Sequence, residues 1–281
     1  MKPITKRQIR IAGLYAGLGL VVVGFSIAYG ESPPWGIWVL FAATFVTLEL
    51  NAVEVNDRMF QSSSIMVMLT AGTFFALRQG STAAFAMVLM AAVGPLTPDD
   101  IRRRRWFQPL ANMGQLVVAA GAAGWILDAL LRDANPSDKS VLLLVAMSGA
   151  VASLVYTLIN LLMVRSAVKH VYGARNLLPW SGLHVLFSSQ VIMGLIGGLL
   201  GAALQIVDKP AVLVLILVVY LIGHLSLSSY SQLREAHQSA LRGFVKVLEA
   251  RDMYTRGHTE RVAYFSQLIG EELRFTGTQL E

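Results

Sequence analysis

"IAGLYAGLGLVVVGFSIAY", residues 11–29, runs without a single charged side chain, and its reading decides the fold. A helix needs roughly 20 apolar residues to cross the hydrocarbon core of a bilayer, and this run is about that long. It is too long for the apolar region of a typical signal peptide, and further apolar stretches follow it. Behind the basic start "MKPITKRQIR" it reads as an anchor that is kept.

The rest of the chain agrees. Hydrophobic residues make up 55% of its 281 residues and charged residues 14%, where a soluble domain carries about 25% charge. The mean hydropathy is +0.58. These values place the chain in the membrane class, with the lipid bilayer as its first partner. The net charge of +6 comes mainly from short basic loops. It bears on orientation in a membrane, and no nucleic-acid partner is expected. There is no cysteine, which excludes disulfides, thiolate catalysis and cysteine-based zinc or iron–sulfur sites within this chain.

Eight apolar stretches are candidate spans: 11–30, 35–53, 62–78, 81–96, 107–131, 140–164, 178–207 and 211–230. The expected fold is an all-α polytopic bundle of about eight spans. The third and fourth stretches are short, and a re-entrant hairpin over 62–96 would leave six full spans with the later loops on the same sides. With the N-terminus in the cytoplasm, the inside segments carry Lys2, Lys6, Arg7, Arg10, Arg58, Arg102, Arg103, Arg104, Arg105, Arg165, Lys169 and Arg175. The outside loops carry only Arg78, Arg132, Lys139 and Lys209. Twelve basic residues against four put both termini inside, because loop lysines and arginines stay in the cytoplasm. The "IRRRRW" loop at 101–106 reads first as an inner-leaflet stop that touches anionic lipid.

Ionisable and amide side chains at membrane depth are costly, and each is a site hypothesis. Glu49, Asn112, Gln115, Asn160, His184, Gln190 and His224 form the set. Two readings stay open: hydrogen bonds that fix the bundle, or a polar pocket between helices that senses a small ligand. Asn112 and Gln115 are three residues apart and share a helix face. Glu54 lies near the same interface as Glu49. In "LIGGLLGAAL", Gly197 and Gly201 make a small-xxx-small pair, which means close helix packing.

After the last stretch the sequence continues as "SLSSYSQLREAHQSALRGFVKVLEARD", with Leu241, Phe244 and Leu248 three and four residues apart. This pattern predicts one helix leaving the membrane over 231–250. Paired with a second copy it would form a short parallel coiled coil, a route to a homodimer. Then comes "RDMYTRGHTERVAYF", residues 251–265. Thr255 is a candidate helix cap with His258 three residues on, between Arg256 and Arg261. Val262, Phe265, Leu268, Ile269 and Leu273 follow at helical spacing. This stripe has nothing in the chain to cover it, so residues 258–281 are expected to be loosely helical at most.

The run Ala250, Arg251, Asp252, Tyr254, Thr255, Gly257, His258, Thr259, Arg261 and Val262 resembles the opening of an HD-GYP domain, a branch of the HD superfamily of metal-dependent phosphohydrolases. The match is long and ungapped and covers about residues 245–281. The polytopic region, with "FQPLANMGQLVVAAGAAGW" after an arginine loop, is similar by pattern to membrane regions fused to such domains in bacteria.

The resemblance implies an all-helical catalytic domain with an iron or manganese centre that hydrolyses cyclic di-GMP or a related cyclic dinucleotide. His258 matches the first metal ligand. Some relatives carry glutamate where this chain has Tyr254, and the tyrosine implies two metals. The family's His-Asp pair, its later histidines and aspartate, and its Gly-Tyr-Pro signature are not in the chain. None of His170, His184, His224, His237 and His258 precedes an aspartate. The expected organisation is a membrane domain over 1–230, a linker helix over 231–250 and the start of a truncated HD-GYP domain over 251–281. The full-length protein would be a bacterial inner-membrane phosphodiesterase, while this chain alone would hold no metal and be inactive. The alternative is a non-enzymatic ligand-binding or transport module with a vestigial tail.

The topology has a direct test. Reporter fusions at Arg104 and Asn135 are expected on opposite sides of the membrane. Both on one side would break the span order.

Overall fold

The computed structural model describes residues 6–50, 53–56, 59–61, 64–78, 80, 82–95, 107–135, 138, 141–172, 180–206 and 258–272, with scattered positions from 220 to 247. Helices α1 (Lys6–Tyr29) and α2 (Trp35–Leu50) come first. A small antiparallel ladder follows, β1 (Val53–Asn56) with β2 (Met59–Gln61). Then come α3 (Ser64–Ala76), α4 (Ala83–Val93), α5 (Phe107–Leu131), α6 (Val141–Tyr172), α7 (Trp180–Ile206) and α8 (His258–Glu272). The bundle is helical, and the β1–β2 ladder is its departure from an all-α chain among the described residues. Val53, read as the end of the second span, pairs with Gln61 in that ladder, and Glu54 pairs with Phe60.

Among the described residues, four helices are long and apolar enough to cross a membrane: Arg7–Tyr29, Pro109–Leu131, Val141–His170 and Leu186–Ile206. Three shorter apolar helices accompany them, Trp35–Leu50, Ser64–Ala76 and Ala83–Val93. The eighth stretch, 211–230, lies outside the described residues except at positions 220, 225 and 229, which are helical. With 13 and 11 residues, α3 and α4 reach only about 20 and 17 Å along their axes. A hydrocarbon core is about 30 Å thick.

These two short helices are the centre of the molecule. Val67, Met68, Leu69, Phe75, Met87, Val88 and Met90 are sealed from the surface. The long helices surround them. On their outer faces α1 and α6 expose Leu14, Leu18, Val21, Leu143, Met147 and Leu162. In water that arrangement would be inverted; in lipid it is the expected one, because lipid tails are as apolar as the core.

Contact levels give the directions. Along α1 and α5, Tyr15 meets Gly114, Val22 meets Gly121, and Phe25 meets Trp125, so these helices run parallel. Between α4 and α5, Ala84 meets Gly124 and Val88 meets Gly121, so they run antiparallel. Between α6 and α7, Val145 meets Gly198 and Gly149 meets Gly194, again antiparallel. Beside α3, Gly197 lies on Met66 and Leu69 while Gly201 lies on Thr70 and Thr73, so α7 and α3 run parallel.

Packing between helices in lipid depends on close backbone approach. A methyl group at Gly198 would stand 2.7 Å from the Val145 carbonyl oxygen, and one at Gly201 would stand 2.6 Å from that of Thr70. Thus α7 presents Gly194 and Gly198 to α6, and Gly197 and Gly201 to α3. The small-residue pair noted in the sequence does pack closely, as half of a two-sided seam. Gly17 of α1, by contrast, faces open space.

Gly198→Val is expected to lower the thermal midpoint of the purified protein in detergent, with overpacking costing about 1–3 kcal/mol or more. Gly17→Val is expected to shift it far less. Equal shifts would mean that α6 and α7 do not meet along this seam.

Candidate functional site

The clearest polar constellation lies at the turn between α3 and α4. Gly80 turns the chain there with φ of 73°, a left-handed conformation that glycine adopts without strain. The first N–H groups of α4 have no partner inside their own helix. Thr82 sits at the cap position with extended backbone, yet its side chain makes no cap hydrogen bond. It turns instead to the loop after α1, where the Glu31 N–H donates to Thr82 Oγ1 at 3.2 Å and the Thr82 N–H donates to the Glu31 carbonyl at 3.2 Å. The cap comes from α5. The Ala83 N–H donates to Asp128 Oδ1 at 2.7 Å and the Ala84 N–H donates to Oδ2 at 3.0 Å. A carboxylate on two backbone donors at a helix N-terminus gains from both the charge-assisted bonds and the helix dipole.

Side chains on α2 and α3 complete this end. Trp38 Nε1 donates to the Ala86 carbonyl at 3.0 Å, tying α2 to α4. The Arg78 guanidinium lies 5.9 Å from the centre of the Phe74 ring. Phe25, Tyr29, Trp35 and Trp125 are exposed aromatics at the same end, the composition of a membrane-interface belt. Asp128 was not among the residues singled out from the sequence. The signal was present, since it is the one carboxylate in the apolar run 107–131.

The residues that were singled out fall into separate pairs. Gln115 of α5 is buried, and its Nε2 donates to Asn160 Oδ1 of α6 at 2.5 Å. Asn112 shares that end of α5 but is exposed. Glu49 is half-buried at the end of α2 and accepts the Ser64 hydroxyl at 2.5 Å. Gln190 is buried on α7; its carbonyl accepts the Ser153 hydroxyl at 2.6 Å, and its side-chain oxygen has no partner among the described residues. His184 is exposed on α7. His224 lies outside the described residues. Polar pairs absent from that set also tie helices together. Gln205 donates to the Phe74 carbonyl at 2.6 Å, and the Thr70 and Tyr220 hydroxyls bond to each other.

In the tail, Arg251, Asp252, Tyr254, Thr255 and Gly257 lie outside the described residues. His258 is the first residue of α8 and is exposed, as are Arg261 and Val262. A regular 15-residue helix stands where loose helicity was expected. Its stripe of Val262, Phe265, Leu268 and Ile269 is nonetheless exposed. Among the described residues no three His, Asp or Glu side chains converge as metal ligands. No family model, curated protein or solved structure matches the chain.

The Asp128 cap makes a sharp prediction. Asp128→Ala is expected to destabilise the protein by about 0.5–2 kcal/mol, the usual cost of a lost N-cap. Asp128→Asn, which keeps one acceptor, should recover part of that. Thermal midpoints of the three proteins in one detergent decide it; wild-type stability in Asp128→Ala would show that the bonds to α4 hold nothing in place.

Proposed function

We propose that this chain is the membrane-embedded sensory or anchoring region of a bacterial HD-GYP cyclic-di-GMP phosphodiesterase, carrying only the opening of the catalytic domain. The single observation that carries the reading is the ungapped run from Ala250 to Val262, with His258 in the position of the first metal ligand. The exposed start of α8 at His258 is compatible with a ligand that meets its partners in a larger domain.

In this reading the membrane region has about eight spans, α3 and α4 being too short to cross without help from neighbours, and both termini face the cytoplasm of an inner membrane. Two observations support the orientation. Arg7, Arg10 and His170 meet at one end of the bundle, and the aromatic cluster of Phe25, Tyr29, Trp35 and Trp125 lies at the other. The described positions between Tyr220 and Val247 are helical, which supports an exit helix able to carry a tilt or rotation to the next domain. A second copy pairing along it would make the dimer.

A two-metal phosphodiesterase centre needs several converging ligands. His258 is the one member of the family set in this chain, so the residues present do not fit the centre. The chain alone is inactive in this reading, and no catalytic step is derived for it.

The test is cyclic di-GMP hydrolysis, with manganese or iron, by the protein joined to the complete catalytic domain of its own reading frame. Turnover is expected, and His258→Ala should lower it on the order of 100-fold or more. A reading frame without hydrolysis, or an unchanged rate in His258→Ala, defeats the proposal.

A further inference from the structure

At the end of the bundle where α1 begins and α6 ends, the two helices border a shallow open cleft of about 400 Å³ lined by Arg7, Arg10, Ile11 and His170. We propose that this cleft binds the phosphate headgroup of an anionic glycerophospholipid, with phosphatidylglycerol as the type that fits its donors and acceptors. The inference is independent of the phosphodiesterase reading.

Four observations carry it. First, the two helices that form the cleft bring positive charge and no acidic side chain. Arg7 and Arg10 are exposed one turn apart on α1, and neither α1 nor α6 contains an aspartate or glutamate. Two guanidinium groups on one face suit a phosphate, whose oxygens accept their paired N–H donors. Second, the third polar group comes from a helix about 160 residues away in sequence and is oriented. His170 Nδ1 lies 2.7 Å from the Ser166 carbonyl oxygen. A carbonyl only accepts, so Nδ1–H donates, and this contact fixes the plane of the ring. Nε2 remains as the ring's second polar atom, suited to an oxygen of the headgroup beside the phosphate held by the arginines.

Third, the spacing of the two walls is fixed from below. Tyr15, buried on α1, donates its hydroxyl to the Met163 carbonyl of α6 at 2.7 Å, about two turns deeper than the cleft. Fourth, the cleft opens onto a hydrocarbon surface. Ile11 lines it, and Leu14 and Leu18 continue along α1 as exposed apolar side chains. A free phosphate has no use for that surface, whereas an acyl chain lies on it. Cationic clefts between membrane helices at a cytoplasmic face are suited to anionic headgroups.

The experiment uses the full chain purified in detergent and measures lipid retention by native mass spectrometry. Phosphatidylglycerol, phosphatidylcholine and inorganic phosphate are added in separate arms. The wild type is expected to retain phosphatidylglycerol over phosphatidylcholine, and Arg7→Gln and Arg10→Gln should each weaken it about fivefold. His170→Phe should reduce the preference for phosphatidylglycerol without abolishing lipid binding. Arg165→Gln removes an exposed charge at the same end but outside the cleft and should leave retention unchanged. Equal losses in Arg165→Gln and Arg10→Gln would reduce the effect to general leaflet attraction and overturn the site. Arginine-dependent binding of inorganic phosphate without lipid retention would overturn the lipid assignment. Circular dichroism of each variant separates misfolding from lost contacts, and the Arg7→Gln and Arg10→Gln changes are at exposed positions that the core does not need.

Discussion

Two backbone N–H groups at the start of α4 have no partner in their own helix, and Asp128 of α5 supplies it. Much of the bundle depends on that bond. In hydrocarbon every exposed backbone donor needs an internal partner, because no water is there to take its place. Helices α3 and α4 are too short to bring both of their ends to the membrane surface. Their turn stands at the end that carries the aromatic belt, and neighbours satisfy its backbone groups there. Asp128 holds the Ala83 and Ala84 amides, the Glu31 main chain bonds to both the main chain and the hydroxyl of Thr82, and Trp38 reaches the Ala86 carbonyl. Three elements converge on one helix start, and their convergence sets where α1 and α5 end and α2 begins relative to the core.

From that fixed end the rest follows by close contact. The apolar effect that drives a soluble core is weak between helices in lipid, so packing must come from shape and from polar bonds. Glycines let α7 touch α6 on one side and α3 on the other. Amides and hydroxyls then fix the register, Gln115 on Asn160, Gln205 on the Phe74 carbonyl, Ser153 on the Gln190 carbonyl. The isolated polar residues of the apolar stretches serve chiefly as such ties. Among the described residues they stand as separate pairs, and Asn112 and His184 are exposed.

The long helices were legible in the sequence because twenty apolar residues in a row have few other uses. The stretch 107–131 became α5 with the same bounds, and 178–207 became α7 within a few residues. The short helices were harder. Residues 62–78 and 81–96 carry enough apolar character for spans, but Gly80 and the polar turn leave only 13 and 11 helical residues. The end of α2 was missed, because "NAVEVND" reads as a continuing apolar face and its pairing as β1 with β2 depends on a partner strand after a turn. Asp128 was passed over since its meaning lies in α4, more than 40 residues away. Glu49 was found because a carboxylate in an apolar helix stands out, while its partner Ser64 carries no signal of its own. The motif around His258 could be read at once, yet most of it lies outside the described residues.

The central claim is that a short, largely enclosed helix pair is hung by its turn from the ends of α1 and α5. The absence of cysteine allows a clean measurement: single cysteines at Arg78, Met68 and Met87, challenged with a membrane-impermeant maleimide from each side of sealed vesicles. Arg78→Cys is expected to react from the side where Asn135 lies, and Met68→Cys and Met87→Cys only after denaturation. Labelling of Arg78→Cys from the side of Arg10, or of either methionine position in the native protein, would contradict it.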